Sequence, residues 1–436
     1  MWKGSRIGNC YAFPLILQLV ILFYNIFRIL YFGGIRIASS WNNKARLWVS
    51  GRKNWRNSLK EQFQPGNNDR MIWMHCASLG EFEQGRPIIE KLKQQFPSSK
   101  IVLTFFSPSG YVIRKDYQGA DVVMYLPPDS RKNAIDFLDL VQPTLAIFVK
   151  YEFWHYYLSE LRKRKIETIL VSGIFRNSQP FFQWWGGFYK NMLLQFTHLF
   201  VQNESSAKLL ASINIQKNVT VCGDTRFDRV IEAAEQWKPI AAIDSFIKPH
   251  KKLLVAGSTW KEDEELISQW FLTHKDEWQL IIAPHEIDEA HIQEVQQLFK
   301  SPILFSQLIS LQTQQQQNDC LLINSIGHLS RLYNYASVCY VGGGFNKSGH
   351  HNILEAAVYG KAVITGPVFQ KFKESVDLKK SGGSFQVNNI TELADLIEKS
   401  DFVKAGTIAK EYVQQQAGAT TAIMNYIQEK RLFTNA

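Results

Sequence analysis

From residue 67 onward the chain alternates short apolar runs with stretches in which apolar residues recur at helical spacing. This alternation is typical of parallel sheets whose strands are connected by crossover helices. Seven apolar runs predict strands at 71–76, 100–106, 121–126, 144–149, 167–172, 198–202 and 219–223. Seven more follow at 252–258, 279–284, 302–306, 320–324, 337–344, 361–367 and 384–387. The pattern therefore predicts an α/β protein with two doubly wound, Rossmann-like domains.

The same pattern predicts how the chain is divided. Residues 1–66 form an apolar and basic N-terminal segment, residues 67–223 a first domain and residues 252–400 a second. Residues 224–251 are charged and contain two prolines, so we expect a linker there. A helical pattern in residues 401–436 predicts a C-terminal helix that packs back across the domains. The glutamine-rich residues 312–319 are typical of a low-complexity loop.

An apolar run from Tyr11 to Phe32 is interrupted by Gln18, Asn25 and Arg28. Its length is close to the roughly 20 residues that span a bilayer. A cleaved secretory signal would fit Lys3 and Arg6, whereas the cations that follow the run resist translocation. A buried core helix is a second alternative, but it would need a partner for Arg28. The interpretation we favour is an N-terminal membrane-anchor helix that spans the bilayer or lies in its interface.

The net positive charge of the chain comes from this N-terminal segment. The formal net charge is +10, and ten cations precede the first acidic residue, Glu61, so the remainder is formally neutral. A nucleic-acid-binding surface would instead spread over a folded domain, so we expect no nucleic acid partner. Trp41, Trp48 and Trp55 recur every seven residues, which predicts one helical face at the level of the lipid headgroups.

Composition excludes several other classes of protein. The chain has 436 residues and is 45% hydrophobic, which suits two domains with real cores and excludes a disordered chain. Its five cysteines are scattered, so neither a disulfide framework nor a zinc site is indicated. The sequence contains no D-x-D, H-E-x-x-H, G-x-S-x-G or Walker motif. We therefore expect neither a metal nor a cofactor.

Three candidate residues follow strands of the first domain, where ligands bind in such folds. Glu81 lies in a Ser-Leu-Gly-Glu turn, where it is either the far half of a capping box with Ser78 or a general base. Glu152 begins the helix after the fourth strand and could compensate the helix dipole or face a substrate. Arg226 is a candidate anion clamp, with an interdomain salt bridge as the alternative.

The second domain contains a glycine-rich loop, VGGGFNKSGHHNILEAA, at residues 341–357. Glycines permit close approach of the backbone, and the N-terminus of the following helix attracts phosphate. Asn352 and Glu355 lie at the start of that helix, where a carboxylate could accept hydrogen bonds from ribose hydroxyls. Other strand ends place Gly327, His328 and His285 where they could line the same nucleotide pocket. A plain glycine turn and structural histidines are the alternatives.

Together these motifs resemble the 3-deoxy-D-manno-octulosonic acid (Kdo) transferases of lipopolysaccharide assembly. The matching elements are the anchor with its basic residues, the Glu81 loop, TFFSPSGY at 104–111, the Glu152 and Trp154 pair, the element at 223–228, and G-x-H-N-x-L-E-A-A ending at Ala357. The resemblance implies a GT-B glycosyltransferase with two Rossmann-like domains facing a cleft. It also implies transfer of Kdo from CMP-Kdo to the lipid A precursor, lipid IVA, on the cytoplasmic face of the inner membrane.

The resemblance also implies roles for individual residues. Glu81 would be the catalytic base, with Glu152 and Arg226 stabilising the transition state. The CMP-Kdo contacts would map onto Pro284, His285, Ile326, Gly327, His328, Asn352, Ile353, Leu354 and Glu355. The sequence departs from the family pattern at Pro284, where arginine is common, at Arg226, where lysine is common, and at Lys150, His328 and His350.

Other functions remain open from the residues alone. A GT-B enzyme that transfers hexosamine from a UDP-sugar to a lipid would share most of these features. A non-hydrolysing epimerase would share the fold and need no anchor. A membrane-tethered nucleotide-binding module without catalysis would leave Glu81 dispensable, because each candidate residue also has a structural explanation.

Overall fold

A computed structural model of the chain describes residues 12–62, 70–310, 318–347 and 349–433. Lys3, Arg6, Cys10, Tyr11, the predicted boundary at residues 66 and 67, and most of the glutamine-rich insert lie outside the described residues. The chain divides into two compact units. The first contains the chain up to Arg226 together with Gly418 and the residues after it, and the second is Phe227–Ala417.

The first unit is built on a parallel seven-stranded sheet. Its strands are β1 (Met71–Cys76), β2 (Lys100–Phe105), β3 (Val122–Tyr125), β4 (Leu145–Val149), β5 (Glu167–Gly173), β6 (His198–Val201) and β7 (Val219–Val221). Its helices before β7 are α1 (Ala12–Ala38), α2 (Asn43–Ser50), α3 (Trp55–Gln62), α4 (Leu79–Gln95), α5 (Pro108–Arg114), α6 (Arg131–Val141), α7 (His155–Lys163), α8 (Gly187–Leu193) and α9 (Glu204–Ser212). The strand order β3-β2-β1-β4-β5-β6-β7 reverses direction between β1 and β4. Ligands bind at such a reversal in open α/β sheets.

The second unit repeats this plan. Helices α10 (Thr225–Glu235) and α11 (Ala241–Phe246) precede a sheet of β8 (Lys252–Thr259), β9 (Trp278–Pro284), β10 (Ile303–Leu304), β11 (Cys320–Leu322), β12 (Val338–Val341), β13 (Val363–Thr365) and β14 (Ser384–Gln386). Further helices are α12 (Lys261–His274), α13 (Glu289–Leu298), α14 (Phe305–Ser310), α15 (Leu329–Leu332), α16 (Leu354–Ala357), α17 (Lys373–Ser381), α18 (Ile390–Lys399) and α19 (Phe402–Gln415). The order β10-β11-β9-β8-β12-β13-β14 reverses between β8 and β12. The last helix, α20 (Ala419–Glu429), returns to the first unit.

The predicted architecture is confirmed. All fourteen predicted strands are present, and the strands of each sheet are parallel. Each sheet separates two apolar cores, as expected when helices cover both faces of strands that are apolar throughout.

Residues 224–251, expected as a linker, fold into α10 and α11. Phe227, Val230, Ile243 and Phe246 from these helices are buried in the core of the second unit. Apolar burial therefore makes this segment part of the domain despite its charged residues and prolines. The predicted C-terminal helix is two helices separated by Gly418, with α19 in the second unit and α20 in the first.

The three N-terminal tryptophans do not share an exposed face. Trp41 is exposed, whereas Trp48 packs against Phe32 and Trp55 is buried against Phe137. The predicted periodicity fails because α2 ends at Ser50 and a turn precedes α3, so no single helix carries all three rings. The prediction of one tryptophan face at the headgroups is therefore wrong.

Helix α1 lies along the first unit with one side, and its other side is exposed. Tyr24 packs against Phe188 and donates a hydrogen bond to Asp129, while Tyr156 donates one to Asn25. The outer side carries large apolar residues, namely Leu19, Leu22, Phe23, Ile26, Phe27, Ile29, Leu30 and Ile37. The stretch Leu19–Ala38 is long and apolar enough for a membrane span, and few of its side chains are buried. A core helix would bury these residues, so that alternative is excluded.

Candidate active site

Glu81 and Glu152 are brought together where the first sheet reverses direction. Glu81 lies in the first turn of α4, directly after β1, and Glu152 follows the neighbouring strand β4. The Glu81 carboxylate accepts a hydrogen bond from the main-chain N–H of Ala77, the residue that follows β1. The Glu152 carboxylate accepts from the indole N–H of Trp154 at 2.7 Å. Both side chains are buried, with 9% and 8% of their surface exposed.

The expected capping box forms in part. Ser78 is the N-cap of α4, but its hydroxyl forms no capping hydrogen bond among the described residues. The Glu81 carboxylate instead folds back onto the chain at Ala77. A Cβ atom added at Gly80 would meet open space, so the turn beside Glu81 has room for a ligand.

The electrostatic environment of Glu81 suits a general base. Burial, and after it the negative charge of Glu152, raise the pKa of Glu81 to about 8, against the Ala77 hydrogen bond and the Lys150 ammonium. A base is most effective when its pKa lies near the working pH. Burial, the largest of these causes, gives Glu81 that property.

Arg226 is held by a carboxylate that the sequence analysis did not single out. Its guanidinium donates to Asp224 at 2.9 Å, and its main-chain N–H bonds to the other oxygen of the same carboxylate. Asp224 is buried and also accepts from Gln84 at 2.9 Å. Because Gln84 lies on α4 one turn after Glu81, this network connects residues 224–226 of the first unit to the helix that carries the candidate base.

An aromatic chamber of about 590 Å³ opens beside Glu152. Its wall is mostly aromatic and includes Phe27, Phe106, Phe153, Trp154, Phe181 and Tyr189. Helix α1 supplies part of this wall, and Arg28 and Arg176 add two cations. The aromatic chamber can therefore accommodate a ligand that is apolar over most of its surface and anionic at one end.

In the second unit three rings form a stack at the other sheet reversal. Trp260, directly after β8, stacks on His285, directly after β9, at 4.7 Å between ring centroids. His285 stacks on His351 of the glycine loop at 4.4 Å. Burial and the neighbouring histidines lower the pKa of His351 to about 4, so this ring is neutral at pH 7. A flat, neutral stack suits a heterocyclic base.

The glycine loop is shaped by contacts within the protein. A Cβ on Gly344 would lie 2.5 Å from the main chain of Gly366, and Gly343 has φ +91°. The loop also rests on Asp263, a buried carboxylate that accepts from the Gly343 N–H at 2.7 Å, from the Tyr340 hydroxyl at 2.7 Å and from the Trp260 N–H at 3.0 Å. Asp263 was missed because its partners come from three separate parts of the sequence.

The remaining nucleotide-site candidates differ in their exposure. His285, Ile326 and Gly327 are exposed and His328 is half-buried, so these residues are open to a ligand. Asn352 donates to Glu355 at 3.3 Å and accepts from the Leu354 N–H at the start of α16. In contrast, the side chains of Pro284, Ile353 and Leu354 are buried, which limits them to main-chain contacts with any ligand. Among the described residues no cluster of three histidine, cysteine or acidic side chains could hold a metal ion.

The fold is that of the GT-B class. The chain is similar to UDP-GlcNAc 2-epimerase from Neisseria meningitidis, with a TM-score of 0.57 and 17% identity over 83% of this chain and 100% of that one. It is also similar to a glycosyltransferase from Rickettsia africae, with a TM-score of 0.51 and 14% identity over 85% and 100%. These likenesses establish the fold alone.

Within that class, sequence comparison relates the chain to one family. Residues 53–229 match the family model described as 3-deoxy-D-manno-octulosonic-acid transferase. The Kdo transferase of Aquifex aeolicus is 29% identical over 74% of this chain and 83% of its own length. A bifunctional glycosyltransferase/methyltransferase of Fusobacterium nucleatum is 25% identical over 86% of this chain, which spans 57% of that longer protein. The chain is therefore a homologue of the Kdo transferases, a family of glycosyltransferases, as its motifs predicted.

Proposed function

We propose that the chain is an inverting glycosyltransferase that transfers Kdo from CMP-Kdo to lipid IVA. Glu81 takes the proton of the attacking hydroxyl as the new glycosidic bond forms. The bond between Kdo and the phosphate of CMP breaks at the same time, and CMP leaves with the electron pair. Glu152 and Arg226 stabilise the transition state, as the resemblance implies.

The observation that carries this proposal is the aromatic chamber with Glu152 in its wall. An enzyme for small soluble acceptors has no need of such a chamber, whereas a lipid brings acyl chains that gain about 0.8 kcal/mol per buried CH₂. Arg28 and Arg176 at the aromatic chamber suit the phosphate groups of such a lipid. The same wall includes α1, so the acceptor would enter from the apolar side of the molecule.

The second unit has the features expected of a nucleotide-sugar site. The stack of Trp260, His285 and His351 offers a flat surface for the cytosine ring. Asn352 and Glu355 lie beside it at the start of α16 and could bind the ribose hydroxyls. Exposed main-chain groups around Gly327 could serve the phosphate.

We further propose that α1 lies in the membrane interface on the cytoplasmic face of the inner membrane. A helix that bonds to Asp129 and Tyr156 along one side cannot project away from the domain without breaking these contacts. Its opposite side is apolar, and the cations Arg36, Lys44 and Arg46 follow near its end. Such a helix binds an anionic leaflet from one side. The catalytic unit would then meet its lipid substrate at the membrane surface.

The test is transfer of Kdo to radiolabelled lipid IVA by membranes that contain the protein, with the lipid followed by chromatography. CMP-Kdo should shift the mobility of the lipid, and Glu81→Gln should reduce the rate by at least about 10²-fold, since a general base contributes 10²–10⁴-fold. The matched control is Glu83→Gln, two residues later on α4, where the carboxylate pairs with Arg114 at 2.9 Å.

Three results would contradict parts of the proposal. Near-normal turnover by Glu81→Gln would show that Glu81 is not the general base. Equal losses in Glu81→Gln and Glu83→Gln would indicate damage to α4 rather than to the chemistry. Release of UDP from a UDP-hexosamine, without reaction of CMP-Kdo, would show that the donor is a UDP-sugar and not CMP-Kdo.

A further inference from the structure

His75 is a fully buried histidine on β1 that binds the candidate catalytic carboxylate Glu152. Its Nε2 atom lies 2.8 Å from Oε2 of Glu152. Its Nδ1 atom lies 2.8 Å from the hydroxyl and 3.1 Å from the carbonyl oxygen of Thr104 on β2. Neither the strand pattern nor the resemblance assigned His75 a role.

The partners of Thr104 determine which ring nitrogen carries a hydrogen. The Thr104 hydroxyl accepts from the indole N–H of Trp73 at 2.8 Å and donates to the carbonyl of Met74 at 3.3 Å. A main-chain carbonyl can only accept, and the Thr104 hydroxyl already has an acceptor in Met74, so we assign the hydrogen to Nδ1 of His75, which donates to Thr104. A neutral imidazole with its hydrogen on Nδ1 has a bare lone pair on Nε2.

A bare Nε2 and a carboxylate oxygen cannot remain 2.8 Å apart without a proton between them, because both are acceptors. The single hydrogen of the Trp154 indole points to Glu152 at 2.7 Å, against 3.2 Å to His75, and does not fill that gap. The pair therefore holds one additional proton, whether it resides on the imidazole or on the carboxyl. In either form His75 and Glu152 together are electrically neutral.

Glu81 lies next to this pair at the end of β1. It bonds to the N–H of Ala77, two residues after His75, while His75 itself bonds to Glu152. The titratable and charged groups around Glu81 are Cys76 at the end of β1, Glu83 on α4, and Lys150, Tyr151 and Glu152 after β4, with Arg176 acting on Tyr151. The main-chain N–H groups of Ala77 and Ser78 complete these surroundings.

We propose that His75 is a positioning residue for the transfer reaction, because the proton it shares with Glu152 neutralises that carboxylate and lets Glu81 ionise beside it. This inference rests on the proposed role of Glu81 as the base. Without the shared proton, Glu81 would have to lose its own proton next to a full negative charge in a buried site, where like charges oppose ionisation.

The experiment is the pH dependence of Kdo transfer in His75→Gln. In the wild-type protein the rate should rise with pH and reach its plateau below about pH 8, because a pKa of about 8 for Glu81 includes the charge on Glu152 that the shared proton removes. A glutamine can still donate to Glu152 but cannot carry the shared proton. We expect the rising limb in His75→Gln to move upward by about one pH unit, toward pH 8, which means about five- to tenfold less activity at pH 7 and recovery at higher pH. In a Glu152→Gln background, adding His75→Gln should not shift the rising limb of the pH profile.

Thr104→Val is the second variant, and it carries the test if His75→Gln fails to fold. It removes the hydroxyl that accepts from Nδ1 and leaves the carbonyl, so the limb should move in the same direction by a smaller amount. Trp73→Phe is the matched control, since it removes a donor to Thr104 and leaves the hydrogen bonds between His75 and Thr104 in place, and its limb should match the wild type. Thermal unfolding of each variant reports any loss of fold.

The outcomes separate this inference from the proposed function. A rate that falls equally at all pH values in both His75→Gln and Thr104→Val would assign His75 a structural role and overturn the inference. If Glu81→Gln is inactive in that same case, the assignment of Glu81 as the base is retained and only the inference about His75 fails. If Glu81→Gln is active, the proposed function fails first.

Discussion

Asp263 is the buried carboxylate on which the glycine loop of the second unit rests, and its replacement by alanine tests the donor site. Two main-chain N–H groups and the Tyr340 hydroxyl would lose their acceptor. Hydrogen bonds to a charged group contribute about 1.5–3 kcal/mol each. Burial raises the pKa of Asp263, so removing the charge returns part of that sum. We expect Asp263→Ala to lower the free energy of unfolding by about 3 kcal/mol.

Asp263→Asn should behave differently, because its amide oxygen can still accept from Gly343 and Trp260 while its NH₂ group faces Tyr340. We expect a loss of about 1 kcal/mol. The matched control is Asp288→Ala, which removes the exposed N-cap of α13 and also costs about 1 kcal/mol without touching the loop.

Unfolding in urea, followed by tryptophan fluorescence, measures the change in stability, with the transitions of the two units fitted separately. Titration with CMP measures the site, because a ligand on the stack should change the emission of Trp260. CMP affinity should fall by at least about tenfold in Asp263→Ala, or about 1.4 kcal/mol, and remain unchanged in Asp288→Ala. Equal stability and equal CMP affinity in these two variants would refute the role of Asp263 as the support of the loop.

Two further predictions concern the contacts of the N-terminal helices with the rest of the first unit. Burial raises the pKa of Asp129 to about 6, above its unfolded value, so the charged form is disfavoured on folding and stability falls as pH rises to about 6. Tyr24→Phe removes a donor to that charged form, so it should cost about 1.5 kcal/mol at pH 8 and less at pH 5, measured by urea unfolding; an equal cost at both pH values would contradict this. Arg52 donates to the carbonyl oxygens of Leu126 at 2.8 Å and Phe106 at 2.7 Å, and Arg52→Met should lower stability by about 3 kcal/mol in the same assay, with exposed Lys53→Met as the control.

The sheets could be predicted from the sequence because strands covered on both faces are apolar throughout. All six residues of β1 are buried, and its run MIWMHC stands out in the chain. The same property hid His75, since a histidine inside an apolar run has no distinguishing pattern. Its role depends on Glu152, 77 residues away.

Candidate residues that directly follow a strand can be predicted from the sequence, whereas residues that depend on partners far away in the chain cannot. Glu81, Glu152 and the glycine loop follow strands directly, and the structure places them at the two sheet reversals. Trp260 follows β8 in the same way and could have been found by that rule. Asp129 could not, because its partners Tyr24 and Tyr156 come from distant helices. The charged residues and prolines of segment 224–251 predict a linker, whereas four buried apolar positions make the segment part of the second unit.

The return of α20 to the first unit affects the order in which the protein can fold during synthesis. Ile423, Met424 and Ile427 fill the same core as Ile72 of β1, which the ribosome completes roughly 350 residues earlier. At 5–20 residues per second, the ribosome needs on the order of 10–40 s to make the intervening second unit. During that time one face of the first sheet lacks the part of its cover that α20 supplies, so the nascent chain exposes apolar surface of the kind that chaperones recognise. A chain that terminates before Gly418 would keep that part of the face exposed permanently.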